Sequence, residues 1–527
     1  MNRPSDGGTP EGSAAAEGQS VRGARESDVL AVDAERSSSS GIEKLETGIP
    51  GFDHVTMGGL PKRRATVVAG QAGSAKTVFA GQFLAEGVRR GQPAVFVTLE
   101  EPAADLRNNL STLGWDIAAW ESAGDWRFVD ASPVVREDGT TVPYSFSVLA
   151  AQIGRAVDET GADRLVLDSL NAVFALSDDV GTARQRLRTL VAGLRAAGLT
   201  VLMTVETASD PAGSLSRYGI EEFVADNVVL LRNTREGKGR RRTLEVLKMR
   251  GATHHKGDYA FTVLPGEGLV VLPLAASRMT AGRATERVPS GISDLDALSG
   301  GGLLRDSTIL VAGPTGTGKT LLGLEFLASA ARRGERGLLL GYEESPEQIG
   351  RNAVGAGRDM DRLREQDLLR VVSVYPEEAS LEDHLLELKR LVDHYQPVRL
   401  VVDSLTALER AGSPQAYREF VVGLTSYAKQ RQLTTLLTAS TPGLDGGSSL
   451  TEGHVSTLAD MVLLLRYVEA AGQIRRALTV LKMRGSAHDH GVHELVIADD
   501  GLTVGEPMTG IAGVVAGIPH ASPVVEA

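Results

Sequence analysis

Short continuous runs of aliphatic and β-branched residues recur along the chain, where half-buried strands would alternate with polar positions. They are ATVVAG from Ala65, PAVFVTLEE from Pro93, RLVLDSL from Arg164, TILVAG from Thr308, GLLLGYEE from Gly337 and RLVVDSL from Arg399. Runs of this kind predict strands buried on both faces. After ATVVAG and TILVAG, a glycine-rich loop leads into apolar residues at helical spacing, VFAGQFLAEGV from Val78 and LLGLEFLASAA from Leu321. The pattern predicts an α/β class, a mostly parallel sheet flanked by helices, with chemistry at the C-terminal strand ends.

The pattern is written twice. TGIPGFDHVTMGGLPKRRATVVAG from Thr47 and SGISDLDALSGGGLLRDSTILVAG from Ser290 align at an offset of about 243, which holds through Glu100-Glu101 and Glu343-Glu344. The offset falls to about 235 where Asp168 meets Asp403 and about 234 where Lys248 meets Lys482. The first copy therefore carries about eight extra residues, expected in the loop EDGTTVPYS, an insertion that costs little stability. Two tandem domains follow, 41–276 and 288–505, joined by a polar linker at 277–287. The Gly, Ser and Glu-rich segment 1–40 is expected to be disordered, and the small-residue tail 506–527 loosely held.

Composition narrows the classes. Of 527 residues, 42% are hydrophobic and 23% charged, a globular balance, and no apolar run approaches the ~18 residues of a membrane span. The polar opening MNRPSDGGTPEGSAAAEGQS has neither a signal-peptide core nor a basic transit pattern, so a cytoplasmic address is expected. With no cysteine, disulfide, thiolate and Cys-zinc chemistry are excluded. A net charge of -12 argues against a broad grip on nucleic acid. The basic run Arg240 to Arg242 reads as a solvated turn between strands.

The loops carry the strongest chemical signal. GPTGTGKT from Gly313 has the spacing in which backbone N–H groups and a helix N-terminus cradle phosphates. Gly313, Gly316, Thr317 and Gly318 would form the cradle, with Lys319 on the phosphates and Thr320 on Mg²⁺. GQAGSAKT from Gly70 repeats it through Gly70, Gly73, Ser74, Ala75, Lys76 and Thr77. Ala75 replaces the glycine; a negative φ there accommodates its methyl, whereas a positive one costs about 1–2 kcal/mol. Asp168 and Asp403, ending apolar strands, are candidate carboxylates for the metal shell. Of Glu100-Glu101 and Glu343-Glu344, an extended backbone would aim one of each pair inward as general base. LKMRG occurs twice, and alternation puts Lys248 with Arg250, and Lys482 with Arg484, on one strand face, where a phosphate from a neighbouring subunit would meet them.

The duplicated loops and strand ends, together with GIEEFVADNVVLLRN, GWD, YEES, ERAGSP, YAKQ, HVSTLAD and KMRGSAHD, resemble the KaiC family over about Ile42 to Val504. The resemblance implies two tandem RecA-like P-loop NTPase domains, a homo-hexamer with ATP and Mg²⁺ between subunits, and ATPase with serine/threonine autokinase activity in signalling or timing. A KaiB-like or other signalling protein is the implied partner. With Asp226 set on Asp460, Glu222-Phe223 of the first copy stands opposite Ser456-Thr457 of the second, so the resemblance places the autophosphorylation sites at Ser456 and Thr457, with Thr451 nearby. It also puts Ala356 where the family has an aromatic beside the base. The competing readings are a DNA-dependent RecA-type motor or recombination mediator, and a nucleotide-gated scaffold.

Overall fold

The computed structural model describes residues 42–132, 146–175, 180–207, 224–236, 239–272, 285–354, 359–441, 455–470, 472–499, 501–509, 511–512 and 520–521. The expectations for 1–40, EDGTTVPYS, Glu222-Phe223, Ala356, Thr451, and most of 277–287 and 506–527 lie outside these residues.

A two-residue hairpin, β1 (Lys44–Leu45) with β2 (Leu60–Pro61), opens the first domain. Its sheet is built from β3 (Ala65–Gly70), β4 (Ala94–Thr98), β5 (Trp126–Asp130), β6 (Arg164–Asp168), β7 (Thr200–Glu206), β8 (Asn227–Glu236), β9 (Gly239–Met249), β10 (Asp258–Leu264) and β11 (Gly268–Val271). The order is β11-β10-β9-β8-β3-β7-β6-β4-β5, parallel from β8 to β5 and antiparallel beyond. The second domain starts with β12 (Arg287–Val288) and β13 (Leu303–Leu304). Its sheet comprises β14 (Thr308–Gly313), β15 (Gly337–Gly341), β16 (Leu369–Ser373), β17 (Arg399–Asp403), β18 (Thr434–Ser440), β19 (Met461–Ala470), β20 (Gln473–Met483), β21 (His493–Ala498) and β22 (Gly501–Pro507). Its nine strands repeat the first domain's order, β22-β21-β20-β19-β14-β18-β17-β15-β16. Both domains are RecA-like P-loop folds.

The unbroken apolar runs are explained by packing on both faces. In β3, Val68 packs with Phe79, Phe83 and Phe96 on one side, while Val67 and Ala69 pack with Ile153, Leu167 and Leu187 on the other. In β14, Leu310 and Ala312 face one cluster and Ile309 and Val311 the opposite one. Each such side chain contributes about 1.5–3 kcal/mol when fully buried. β3 and β14 therefore sit at the centre, and each feeds a helix, α1 (Lys76–Arg89) or α2 (Lys319–Ala331), through the glycine loop.

Each of these helices is pinned by a fully buried arginine from the start of the carboxylate strand. Arg164 Nη1 donates to Phe83 O and Glu46 O, both at 2.8 Å, and its guanidinium lies 4.7 Å from the centre of the Phe83 ring. Arg399 Nη1 does the same to Phe326 O and Pro289 O at 2.8 Å, 4.6 Å over Phe326. Burial pushes both guanidinium groups down to about 10.

The run Arg240–Arg242 departs from the solvated turn expected for it. These residues lie in β9, and Arg241 is only 11% exposed. Its Nε donates to Glu382 at 2.9 Å and an Nη bonds Glu419, carboxylates on α3 (Leu381–Tyr395) and α4 (Pro414–Gln430) of the second domain. Sequence periodicity cannot show that a strand end is covered by another domain.

Candidate functional site

The loops close the C-terminal ends of the central strands because glycine lets the backbone pass where no Cβ fits. A Cβ on Gly70 would lie 2.6 Å from Leu231 O, and one on Gly313 2.6 Å from Leu465 O. On Gly316 it would meet the Tyr467 hydroxyl at 2.7 Å. Gly73 and Gly316 both have positive φ. The second turn differs between the copies: Gly318 has φ 103° and ψ 14°, Ala75 φ 69° and ψ 28°. Ala75 therefore takes the positive-φ branch and bears the left-handed cost, while its φ and ψ stay close to the ordinary left-handed well. The Ser74 and Thr317 side chains are fully buried inside the loops, and Thr317 Oγ1 donates to Pro314 O at 2.8 Å. Only their backbone N–H groups can meet a phosphate.

Lys319 is 7% exposed and donates to Gly313 O and Pro314 O, each at 2.9 Å. Burial holds its ammonium below the ordinary lysine range, opposed by Asp403 and Glu343. Lys76 donates to Gln71 O at 2.9 Å and is lowered by burial too, against Glu206, Asp168 and Glu100.

Each strand-end carboxylate meets the threonine that follows its loop lysine. Thr320 Oγ1 donates to Asp403 Oδ2 at 2.6 Å, and Thr77 makes the matching bond to Asp168. Each aspartate takes a further hydroxyl that the motifs did not single out, Thr204 on Asp168 and Thr438 on Asp403. These threonines project from β7 and β18, the strands lying between loop strand and carboxylate strand. Their signal was present: LMTVET and LLTAST place Thr204 and Thr438 at the same repeat offset as Lys248 and Lys482. Burial raises Asp168 above the usual carboxylate range, partly offset by Thr204, Thr77 and Lys76. The peptide bonds Asp168–Ser169 and Asp403–Ser404 are both cis.

The paired glutamates do not lie on strands. β4 ends at Thr98 and β15 at Gly341, and both pairs occupy the bends that follow, so strand alternation does not decide which member faces inward. In the first domain the Ser169 bond singles out Glu100: Ser169 Oγ donates to Glu100 Oε1 at 2.8 Å, while Glu101 uses its carbonyl to hold Thr98 and Ser132, and both glutamates are exposed. Partial burial raises Glu100, helped by Asp168 and Glu206 and opposed by Ser169 and Lys76. The second domain divides the roles otherwise. Glu343 is exposed and acts on the charge of Lys319, whereas Glu344 accepts from Asn352 Nδ2 at 2.9 Å and is raised by burial and by Asp403. Ser404 Oγ, the counterpart of Ser169, is buried and has no hydrogen-bond partner among the described residues.

A buried methionine, Met249 or Met483, separates the two cations of each LKMRG. A bulge in each ladder, at Leu247 and Leu481, interrupts the alternation just before them. Arg250 and Arg484 lie beyond their strands, so the turn after each strand carries half of the pair. Within the chain Lys248 donates to Ala225 O at 2.9 Å, Lys482 to Ser456 O at 2.7 Å and Ala459 O at 2.8 Å, and Arg484 to Thr457 O at 2.7 Å, with Asp460 Oδ1 4.0 Å from Arg484 Nη1. Arg250 is exposed, its backbone N–H on Asp226 O at 3.2 Å. Ser456 and Thr457 occupy one helical turn, half-buried and exposed respectively.

A family model described as the KaiC ATPase matches residues 45–276 and again 288–509. The chain belongs to the KaiC ATPase family. It is 48% identical over 482 residues to the circadian clock protein KaiC3 of Synechocystis sp., covering 91% of this chain and 95% of that protein. It is 44% identical to the circadian clock oscillator protein KaiC of Parathermosynechococcus lividus, covering 92% and 90%, and 43% identical to that of Thermostichus vulcanus, covering 92% and 93%. KaiC ATPase membership makes the chain a nucleotide-binding tandem P-loop protein. Among the described residues no helix is long and apolar enough to cross a membrane.

Proposed function

We propose that this chain is a Mg²⁺-dependent ATPase that assembles in the cytoplasm as a two-tiered homo-hexamer, and that its second domain transfers a phosphoryl group to Ser456 or Thr457 of an adjacent subunit. The supporting observation is the duplicated constellation of a loop lysine, a helix-start threonine and a strand-end aspartate, with Thr320 and Asp403 already 2.6 Å apart. The residues fit the ligand. A hydroxyl beside a carboxylate is the hard oxygen pair that Mg²⁺ accepts, and a glycine cradle ending in a buried lysine suits a polyphosphate. Thr77 with Asp168, and Thr320 with Asp403, would hold the metal, with Lys76 or Lys319 on the phosphates. Bound Mg²⁺-ATP supplies an electrophilic phosphoryl group with part of its charge offset by the metal.

The chain's own groups do the rest. Glu100 in the first domain takes the proton of water, and its bond from Ser169 fixes its orientation there. Glu343 takes the hydroxyl proton of Ser456 or Thr457, and Glu344, tied to Asn352, supports it from the adjoining position. Lys248, Arg250, Lys482 and Arg484 stabilise charge across the subunit boundary. The first tier turns over slowly and holds the ring. The clock names of the relatives support a role in timing or signalling, with a KaiB-like or other signalling protein as partner.

Sizing and phosphopeptide mapping with Mg²⁺-ATP or a non-hydrolysable analogue test this reading. Expected are ATP-dependent hexamers that Lys76→Ala abolishes, and phosphate on Ser456 or Thr457 that Glu343→Gln removes. Hexamers and slow turnover without phosphate would leave the nucleotide-gated scaffold. Turnover stimulated by single-stranded DNA would favour the recombination motor.

A further inference from the structure

The single helical turn carrying Ser456 and Thr457 is too short to hold itself. One turn bears the full cost of helix nucleation, and its last carbonyls have no partner within the helix. Apolar anchors fix its two ends, Val455 and Ala459, both fully buried, with Ala459 N on Val455 O at 2.9 Å. Between them, three carbonyls are taken by two cations, Ser456 O and Ala459 O by Lys482 and Thr457 O by Arg484. Cations belong at a helix C-terminus, where the dipole is negative.

The strand is shaped for this grip. The bulge turns Leu481 outward to 47% exposure, and Met483 goes into the core at 8%, so Lys482 and Arg484 emerge together toward the turn. A charged phosphate oxygen adds to such a bond a charge–charge attraction, and with a guanidinium a bidentate geometry, that a neutral carbonyl lacks. Lys429, bonded to Asp460 at 3.1 Å, would keep the start of β19 in place when the other two cations leave.

We propose that the acceptor turn and a phosphate anion compete for Lys482 and Arg484, so that capture of the anion releases the turn and presents Ser456 and Thr457. The proposal rests on the reading of these two residues as phosphoryl acceptors and of the cations as phosphate contacts. It makes the two cations positioning residues whose partners change between states. Lys248, on Ala225 O, holds the corresponding place in the first domain, where the Ser-Thr pair is replaced.

Hydrogen exchange of the full chain tests it, with Mg²⁺-β,γ-imido-ATP as the probe and its binding measured separately by calorimetry. The expected result is that amides of 455–460 exchange roughly tenfold faster with the analogue bound, while β19 stays protected. The double variant Lys482→Met, Arg484→Met should exchange fast without nucleotide and show no further response, with β19 protection reporting that it is folded. Arg484→Lys, which keeps a cation, should restore part of the protection. Unchanged or increased protection of 455–460 with the analogue bound overturns the proposal, as does full protection in the double variant. Failure of the acceptor reading has a different signature: the exchange response is present, but Mg²⁺-ATP leaves no phosphate on Ser456 or Thr457.

Discussion

Replacing Arg241 with methionine removes a guanidinium that β9 of the first domain places on carboxylates of two helices of the second. Its Nε lies 2.9 Å from Glu382 Oε1, and both side chains are about one-tenth exposed, at 11% and 10%. At a charge separation of about 4 Å and an effective dielectric of about 20, the attraction is about 4 kcal/mol. Desolvation of both partners offsets part of this, and breaking such a pair by removing one member costs about 3–5 kcal/mol. Glu382 sits in the first turn of α3, where the helix dipole returns about 0.5 kcal/mol to a lone carboxylate. Arg241→Met is therefore expected to cost about 3 kcal/mol, with a coupling of about 2 kcal/mol in a double-mutant cycle with Glu382→Gln. The loss should appear in domain docking and spare the fold of each domain. All three tryptophans, Trp115, Trp120 and Trp126, are in the first domain, so their fluorescence follows that half while far-ultraviolet circular dichroism follows both. In urea the two signals should coincide for the parent and separate for Arg241→Met. A coupling below about 0.5 kcal/mol, the range of ordinary exposed pairs, would refute the reasoning.

Further outcomes follow from the loops and their glutamates. Gly318→Ala must adopt a φ outside the left-handed well, with its Cβ 3.2 Å from Ile497 Cδ1. It should cost about 1–2 kcal/mol in second-domain melting and weaken nucleotide binding there, whereas Ala75→Gly should stay within about 1 kcal/mol, because relief of strain is offset by lost methyl packing and added chain entropy. Equal effects of the two would remove the distinction drawn between the loops. Glu100→Gln should stabilise the nucleotide-free chain at neutral pH while lowering turnover. Because the folded-state pKa of Glu100 is raised, its ionisation opposes folding above that pKa. The advantage of the variant should shrink as pH falls through the raised value toward the ordinary carboxylate range, as followed by tryptophan fluorescence melts; an advantage independent of pH would point to packing instead.

Repetition makes most of the fold and much of the candidate site legible in the amino-acid sequence itself. Continuous apolar runs mark the buried parallel strands, and the two loops with their downstream aspartates mark the Thr77–Asp168 and Thr320–Asp403 pairs. Features that depend on how strands are ordered are not legible there. Thr204 and Thr438 reach the aspartates only because β7 and β18 lie between the other two strands, an order that local sequence does not encode. Strand alternation cannot sort the glutamates, because both pairs fall in bends, and a bulge is invisible in a sequence whose alternation resumes after it. Arg241 shows the same limit across domains: its covering carboxylates, Glu382 and Glu419, are more than a hundred residues downstream.

The buried arginines give the loop helices a mechanical character. Arg164 grips α1 at Phe83 and Arg399 grips α2 at Phe326, each about seven residues from the helix start, so the glycine loop rides on the end of a lever about 10 Å long. A tilt of about 5° about that fulcrum carries the loop about 1 Å, a displacement large enough to change a reaction rate by about a hundredfold. Because Arg164 and Arg399 stand at the start of the very strands that end in Asp168 and Asp403, fulcrum and strand-end carboxylate belong to one rigid bar. A tilt of either helix would thus move its loop against a fixed carboxylate, giving each half of the chain its own adjustable gap.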